Sequence, residues 1–88
     1  MIIIRSKRFT KSFNKRIKDK SPLLNQFKKR WQLFTNDSSN PILKDHSLKG
    51  SLLGFRSFSI AGDIRIIYKK EGENITLFDI GTHNQVYK

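Results

Sequence analysis

The spacing of apolar residues changes once along this chain, from about four to two, and that switch excludes most architectures. Phe9, Phe13 and Ile17 recur every fourth residue, and Leu24, Phe27, Trp31 and Phe34 follow at intervals of three or four. Both patterns mark one apolar stripe on a helix. Asn36-Asp37-Ser38-Ser39-Asn40-Pro41 is turn chemistry throughout and closes the helical half. A loop follows through Lys44-Asp45-His46-Ser47-Leu48-Lys49-Gly50, after which alternation takes over. Leu52 to Ile60, Asp63 to Lys70 and Asn74 to Ile80 read as strands.

Local signals set the ends of these elements. Met1 to Arg5 is β-branched and reads as a short first strand. Ser6 suits the N-cap of a helix reaching about Asp19, and Ser21-Pro22 reads as a second cap followed by proline at the first helical position. Lys7, Lys11, Lys15 and Lys18 fall on another side of the first helix from the phenylalanines. Lys28, Lys29 and Arg30 are expected to face outward from the second. Ala61-Gly62 and Glu71-Gly72-Glu73 join successive strands as tight hairpins. The expected architecture is α+β in the order β-α-α-β-β-β, an αα-hairpin packed on one face of an antiparallel sheet. With 88 residues the chain reads as one domain, residues 1–88. Seven Phe, two Tyr and one Trp supply large rings for its core.

Charge limits the partners. Residues 1–50 hold thirteen Lys and Arg against three acids, and residues 51–88 hold five against four, so +10 of the net +11 lies in the helical half. A one-sided excess of this density attracts polyanions, nucleic acid foremost. The plain alternative is a charged, solvated surface. No cysteine is present, which removes disulfides and thiolate–zinc sites and permits a reducing compartment. Ile2-Ile3-Ile4 is too short for a signal peptide's apolar region or a membrane span, so a soluble, cytoplasmic protein is expected.

Few side chains remain for chemistry. Two histidines are too few for a His-rich metal site and the acids are scattered, so neither metal nor cofactor is expected. The candidates are Lys44, His46, Lys49, Arg56, Asp63, Arg65, His83 and Tyr87. Metal-independent RNA cleavage needs a base for the 2′-hydroxyl, an acid for the leaving 5′-oxygen, and cations for the charge on phosphorus. Histidine suits the first two roles, with an ordinary pKa of about 6.5. Arginine suits the third, its planar fork matching phosphate oxygens. Each also has a duller reading. His46 among turn residues is a surface histidine; His83 after Gly81 is a cap at a strand's end; Asp63 is a turn acid. Arg65, between Ile64 and Ile66, is the solvated face of a strand, and Lys7, Lys11 and Lys15 are a solvated helix face.

The combination is more specific than its parts. Lys44-Asp45-His46-Ser47-Leu48-Lys49-Gly50, Gly54-Phe55-Arg56, Asp63-Ile64-Arg65-Ile66-Ile67-Tyr68, and Ile80-Gly81-Thr82-His83 through Tyr87 together resemble the RelE/ParE toxin superfamily, nearest its YafQ-like branch. The resemblance spans essentially the whole chain, in pattern more than identity across the helices. It implies a RelE-like fold and a type II toxin that enters the 70S ribosome and cleaves mRNA to a 2′,3′-cyclic phosphate. It also implies a cognate antitoxin. By motif the branch's site falls on His46, Ser59, Asp63, His83 and Tyr87. Arg65 joins them as a catalytic candidate, and Arg56, Lys44, Lys49, Lys7, Lys11 and Lys15 as RNA or phosphate ligands. One departure stands out: Ser59 occupies the place of the branch's strand histidine and cannot carry a proton at neutral pH. The same fold also admits a ParE-like, non-enzymatic gyrase poison, or a catalytically weakened relative that binds RNA or antitoxin.

Overall fold

A computed structural model describes residues 1–87. Strand β1 (Ile2–Arg5) leads into helix α1 (Lys7–Arg16), then helix α2 (Ser21–Asn36). The Ser6 hydroxyl accepts the Phe9 N–H at 3.0 Å, the N-cap its position suggested. α1 is shorter than expected because Ile17 leaves helical geometry, its side chain fully buried. At α2 the cap reading is corrected: Lys20 holds the N-cap position without a side-chain bond, and Ser21 is already helical.

The loop expected after Pro41 carries structure. Pro41–Leu43 forms a 3₁₀ turn, Lys44 takes a left-handed conformation at φ +50°, and His46–Ser47 forms a two-residue strand, β2. A second 3₁₀ turn at Gly50–Leu52 and Gly54 at φ +95° delay the next strand, so β3 spans Arg56–Ala61 rather than starting near Leu52. β4 (Ile64–Glu71) and β5 (Asn74–Gly81) complete the meander. Its first hairpin turns on Gly62-Asp63, one residue later than Ala61-Gly62, with Gly62 at φ +50° in the first turn position. Helix α3 (His83–Val86) follows β5, where the sequence had suggested only a strand end.

The sheet order is β1-β5-β4-β3-β2. Its meander is antiparallel as expected, and β1 adds to β5 in parallel, making the sheet mixed. The helices pack on one face. Phe9, Ile17 and Phe34 meet Phe58, Ile60, Ile66, Tyr68, Ile75, Leu77 and Ile80 there in one core. Phe34 stacks on Phe58 at 4.2 Å and meets Tyr68 edge-on at 5.0 Å, pairs worth about 0.5–1.5 kcal/mol each beyond area burial. Arg30 does not face outward as expected; its guanidinium donates to the Ser59 carbonyl at 3.1 Å and ties α2 to β3. The opposite face carries a smaller cluster, Leu48, Ile67 and Val86 with Leu52, Phe55, Phe78 and Tyr87 around it. Beside that cluster the face stays open.

Candidate active site

Strand register decides which candidates share the open face, because directly opposed residues point to the same side of a sheet. Ser57 opposes Ile67 and His46, while Ser59 opposes Arg65, which in turn opposes Gly81. Ile67 belongs to the cluster away from the helices, so His46, Ser57, Ser59 and Arg65 lie on that side. A cleft of about 130 Å³ opens between them, lined by Lys44, His46, Ser57, Ser59, Gly62, Ile64 and Arg65. β2 and β4 are two strand spacings apart and His46 is level with Ile67, two residues from Arg65, which puts His46 and Arg65 roughly 12 Å apart across the face. That span suits one phosphodiester.

His46 is exposed, and its Nδ1 lies 2.8 Å from the Lys44 carbonyl oxygen. A carbonyl oxygen only accepts, so Nδ1 carries the proton and Nε2 of the neutral ring keeps its lone pair. The αL turn at Lys44 makes that bond possible.

Asp63 organises the other end of the cleft. One carboxylate oxygen accepts Arg65 Nη2 at 2.6 Å, and the other accepts the His83 backbone N–H at 3.2 Å. The β3–β4 turn is thereby linked to the first residue of α3. Arg65 Nε also donates to the Asp63 carbonyl at 3.3 Å, which fixes the guanidinium plane. His83 is held from below by a capping box: Thr82 Oγ1 accepts Gln85 N–H, and Gln85 Oε1 accepts Thr82 N–H at 2.8 Å. The His83 ring itself is exposed and lies 4.5 Å from the Tyr87 ring, which is half-buried against the second cluster. One side of the imidazole is therefore fixed while its nitrogens remain available.

The structure does not bring every candidate together. Arg56 opposes Tyr68, so it lies on the helix-covered side of the sheet and outside the cleft. Its Nε and Nη2 both lie 2.7 Å from Asp45 Oδ1. Hydrogen bonding to that carboxylate is the main reason its pKa is raised. Lys49 is exposed before the second 3₁₀ turn and does not line the cleft, whereas Lys44 does. Lys7, Lys11 and Lys15 are exposed along α1. A larger cavity of about 770 Å³ lies on the Arg56 side, between the loop after α2 and the strand ends; Lys44 and Asp45 line it, but neither histidine does. Residue chemistry, not cavity size, makes the smaller cleft the candidate. Ser57 lines it and Gln85 supports His83, and neither was singled out from sequence, whereas Thr82 was named in the Gly81-Thr82-His83 segment. Thr82-x-x-Gln85 before a short helix was the readable signal.

Known proteins share this fold. A family model described as "Bacterial toxin of type II toxin-antitoxin system, YafQ" matches residues 1–88. The chain belongs to the YafQ toxin family. It is thus a toxin of the type II toxin–antitoxin class. Among solved structures, YafQ from Escherichia coli strain BL21(DE3) is 27% identical over 98% of this chain and 97% of that one, with a TM-score of 0.77. A crystal structure of the E. coli DinJ–YafQ complex is 28% identical over 98% and 97%, at 0.74. A YoeB/ParE toxin from Agrobacterium tumefaciens covers 94% of this chain and 99% of its own at 0.75, but at 14% identity it shows the fold alone. A search of curated protein sequences gives no significant match. Among the described residues of this YafQ-family chain, no helix is long and apolar enough to cross a membrane. No group of three or more His, Cys, Asp or Glu side chains among them could hold a metal ion.

Proposed function

We propose that this toxin is a ribosome-dependent mRNA endonuclease that cleaves by transesterification at the cleft lined by His46 and Arg65, with His83 held beside it through Asp63. The observation that carries the reading is the Asp63 bridge. It ties the cationic Arg65 and the backbone of His83 to one turn, across the face from a histidine whose Nδ1 is engaged by the Lys44 carbonyl.

In this reading His46 Nε2 takes the proton from a ribose 2′-hydroxyl, and the 2′-oxygen forms a bond to phosphorus. The bond from phosphorus to the 5′-oxygen breaks, leaving a 2′,3′-cyclic phosphate. His83 gives the departing 5′-oxygen its proton. Arg65 stabilises the charge on the phosphoryl oxygens, since Nε and Nη2 are occupied by Asp63 and Nη1 is free to donate. Lys44 adds a second cation at the cleft's rim. Tyr87 backs the His83 ring and offers its edge to a base. Ser59 lies between the two ends and moves no proton, so the site runs on two histidines rather than three. Arg56 has no part in phosphate binding here. The lysines of α1 hold ribosomal RNA.

The solved complex of the E. coli relative supports a cognate antitoxin as the partner that silences this toxin. With net charge +11 on the toxin, an acidic segment of that antitoxin covers the basic surface. The toxin acts in the cytoplasm, where ribosomes are. Controlled induction with mapping of mRNA 5′ ends tests the activity. Wild type should produce discrete cuts, and His83→Gln or Arg65→Gln should lower them by about 10²–10⁴-fold. Intact mRNA with gyrase-dependent DNA breaks would instead mark a ParE-like poison.

A further inference from the structure

Asp45 and His46 are neighbours in sequence but point to opposite sides of the sheet. His46 enters the cleft, while the Asp45 carboxylate passes to the helix-covered side. There its side chain is only 10% exposed and receives three donors: Arg56 Nε and Nη2, each at 2.7 Å, and the Tyr68 hydroxyl. Tyr68 is itself clamped, edge-on to Phe34 at 5.0 Å and to Phe58 at 5.7 Å. The anchor is therefore continuous with the main core.

The segment it holds runs between two buried side chains, Leu43 and Leu48, and its own backbone pairing is sparse. β2 is two residues long and lies at the sheet edge, and the ladder adds only a bond from Leu48 N–H to the Phe55 carbonyl at 2.9 Å. Lys44 is a non-glycine residue at φ +50°, a conformation that persists only when its surroundings enforce it. That conformation delivers the Lys44 carbonyl to His46 Nδ1 at 2.8 Å. We infer that Arg56 and Tyr68, acting through the Asp45 carboxylate, are positioning residues for cleavage: they hold the Lys44–His46 turn so that His46 presents its unprotonated Nε2 to the cleft. Arg56 thus serves the reaction from the far side of the sheet, without touching RNA. The inference rests on the reading of His46 as the base.

Tyr68→Phe removes one hydroxyl and keeps the ring packing; Arg56→Gln removes the charge and the fork; Arg56→Lys keeps one donor. Ring ¹⁵N shifts of His46 in the free toxin should show a single Nδ1–H tautomer in wild type. Both tautomers should appear in Tyr68→Phe and Arg56→Gln, with His83 unchanged as internal control. On programmed ribosomes the maximal cleavage rate should fall roughly tenfold or more at unchanged half-saturating toxin concentration, with partial rescue in Arg56→Lys. In a His46→Ala background Tyr68→Phe should cost nothing further. Lower melting temperatures with an unchanged His46 tautomer and cleavage rate would leave Asp45, Arg56 and Tyr68 a fold-stabilising cluster and overturn the inference. Additive losses in the double variant would overturn it as well. A tautomer change with cleavage indifferent to His46→Ala would leave the positioning intact and refute His46 as the base.

Discussion

At the residue scale, Gly81 shows how closely the site is built. A Cβ there would lie 2.6 Å from Arg16 Nη1 and 2.7 Å from Gln85 Oε1. Neither neighbour is free to retreat. Arg16 Nη1 donates to the Ile80 carbonyl at 2.7 Å and lies 3.6 Å from the buried Asp79 carboxylate, and Gln85 Oε1 closes the capping box. Gly81→Ala should therefore open that box and cost about 1–2 kcal/mol, read as a lower denaturation midpoint. Cleavage per folded molecule should fall with it, since His83 rides on α3. Tyr68 gives a residue-scale prediction in pH. Burial, then hydrogen bonding to Asp45, pushes its hydroxyl above the ordinary value of 10.0. A folded pKa raised above the unfolded one stabilises the fold fully below about pH 10 and loses that contribution as pH rises beyond it. Denaturation midpoints should fall above pH 10 in wild type and fall less steeply in Tyr68→Phe.

At the element scale, α1 separates two kinds of residue cleanly. Phe9 and Phe13 join the core while Lys7, Lys11 and Lys15 stay exposed, so the basic stripe can be removed without disturbing packing. If each lysine meets one RNA phosphate, the triple Ala variant should lower the slope of log affinity for ribosomes against log salt by about 2–3. Its free-toxin melting temperature should stay within a few degrees of wild type. Helix faces of this kind were legible because ten or more residues repeat the signal, and so were the hairpins with glycine in their turns. β2 and α3 were not, because two and four residues are too short for any period to declare itself. The parallel pairing of β1 with β5 joins strands some seventy residues apart, and nothing local in Ile2–Arg5 names that partner. For the site, the motif pointed to His46, Asp63 and His83, and the structure brings Asp63 to Arg65 and His83. The motif grouped Arg56 with the phosphate ligands, and the register sets it on the helix-covered side, because strand alternation fixes a side only once the first ladder residue is known.

At the scale of the whole molecule, one aromatic chain joins the layers. Phe9, Phe13, Phe27, Trp31, Phe34, Phe58 and Tyr68 run in successive contact from α1 through α2 to the sheet, at centroid separations of 4.2 to 6.4 Å. Phe34 is the link between helices and strands, and Phe34→Ala should cost about 3–5 kcal/mol. A domain of this length has a total stability of roughly 4–13 kcal/mol, so the substitution removes a large part of it. The single Trp31 sits in the same chain, packed against Phe27 and Phe34, and its fluorescence reports whether that chain is assembled. Phe34→Ala should shift the Trp31 transition and the far-UV circular dichroism transition together to lower denaturant, and lose toxicity in step with folding. His83→Gln should lose toxicity with both transitions in place, because His83 is exposed and contributes no core contact. If His83→Gln moved the folding transition as far as Phe34→Ala, His83 would be holding the fold together, and the two-histidine site would lose its acid.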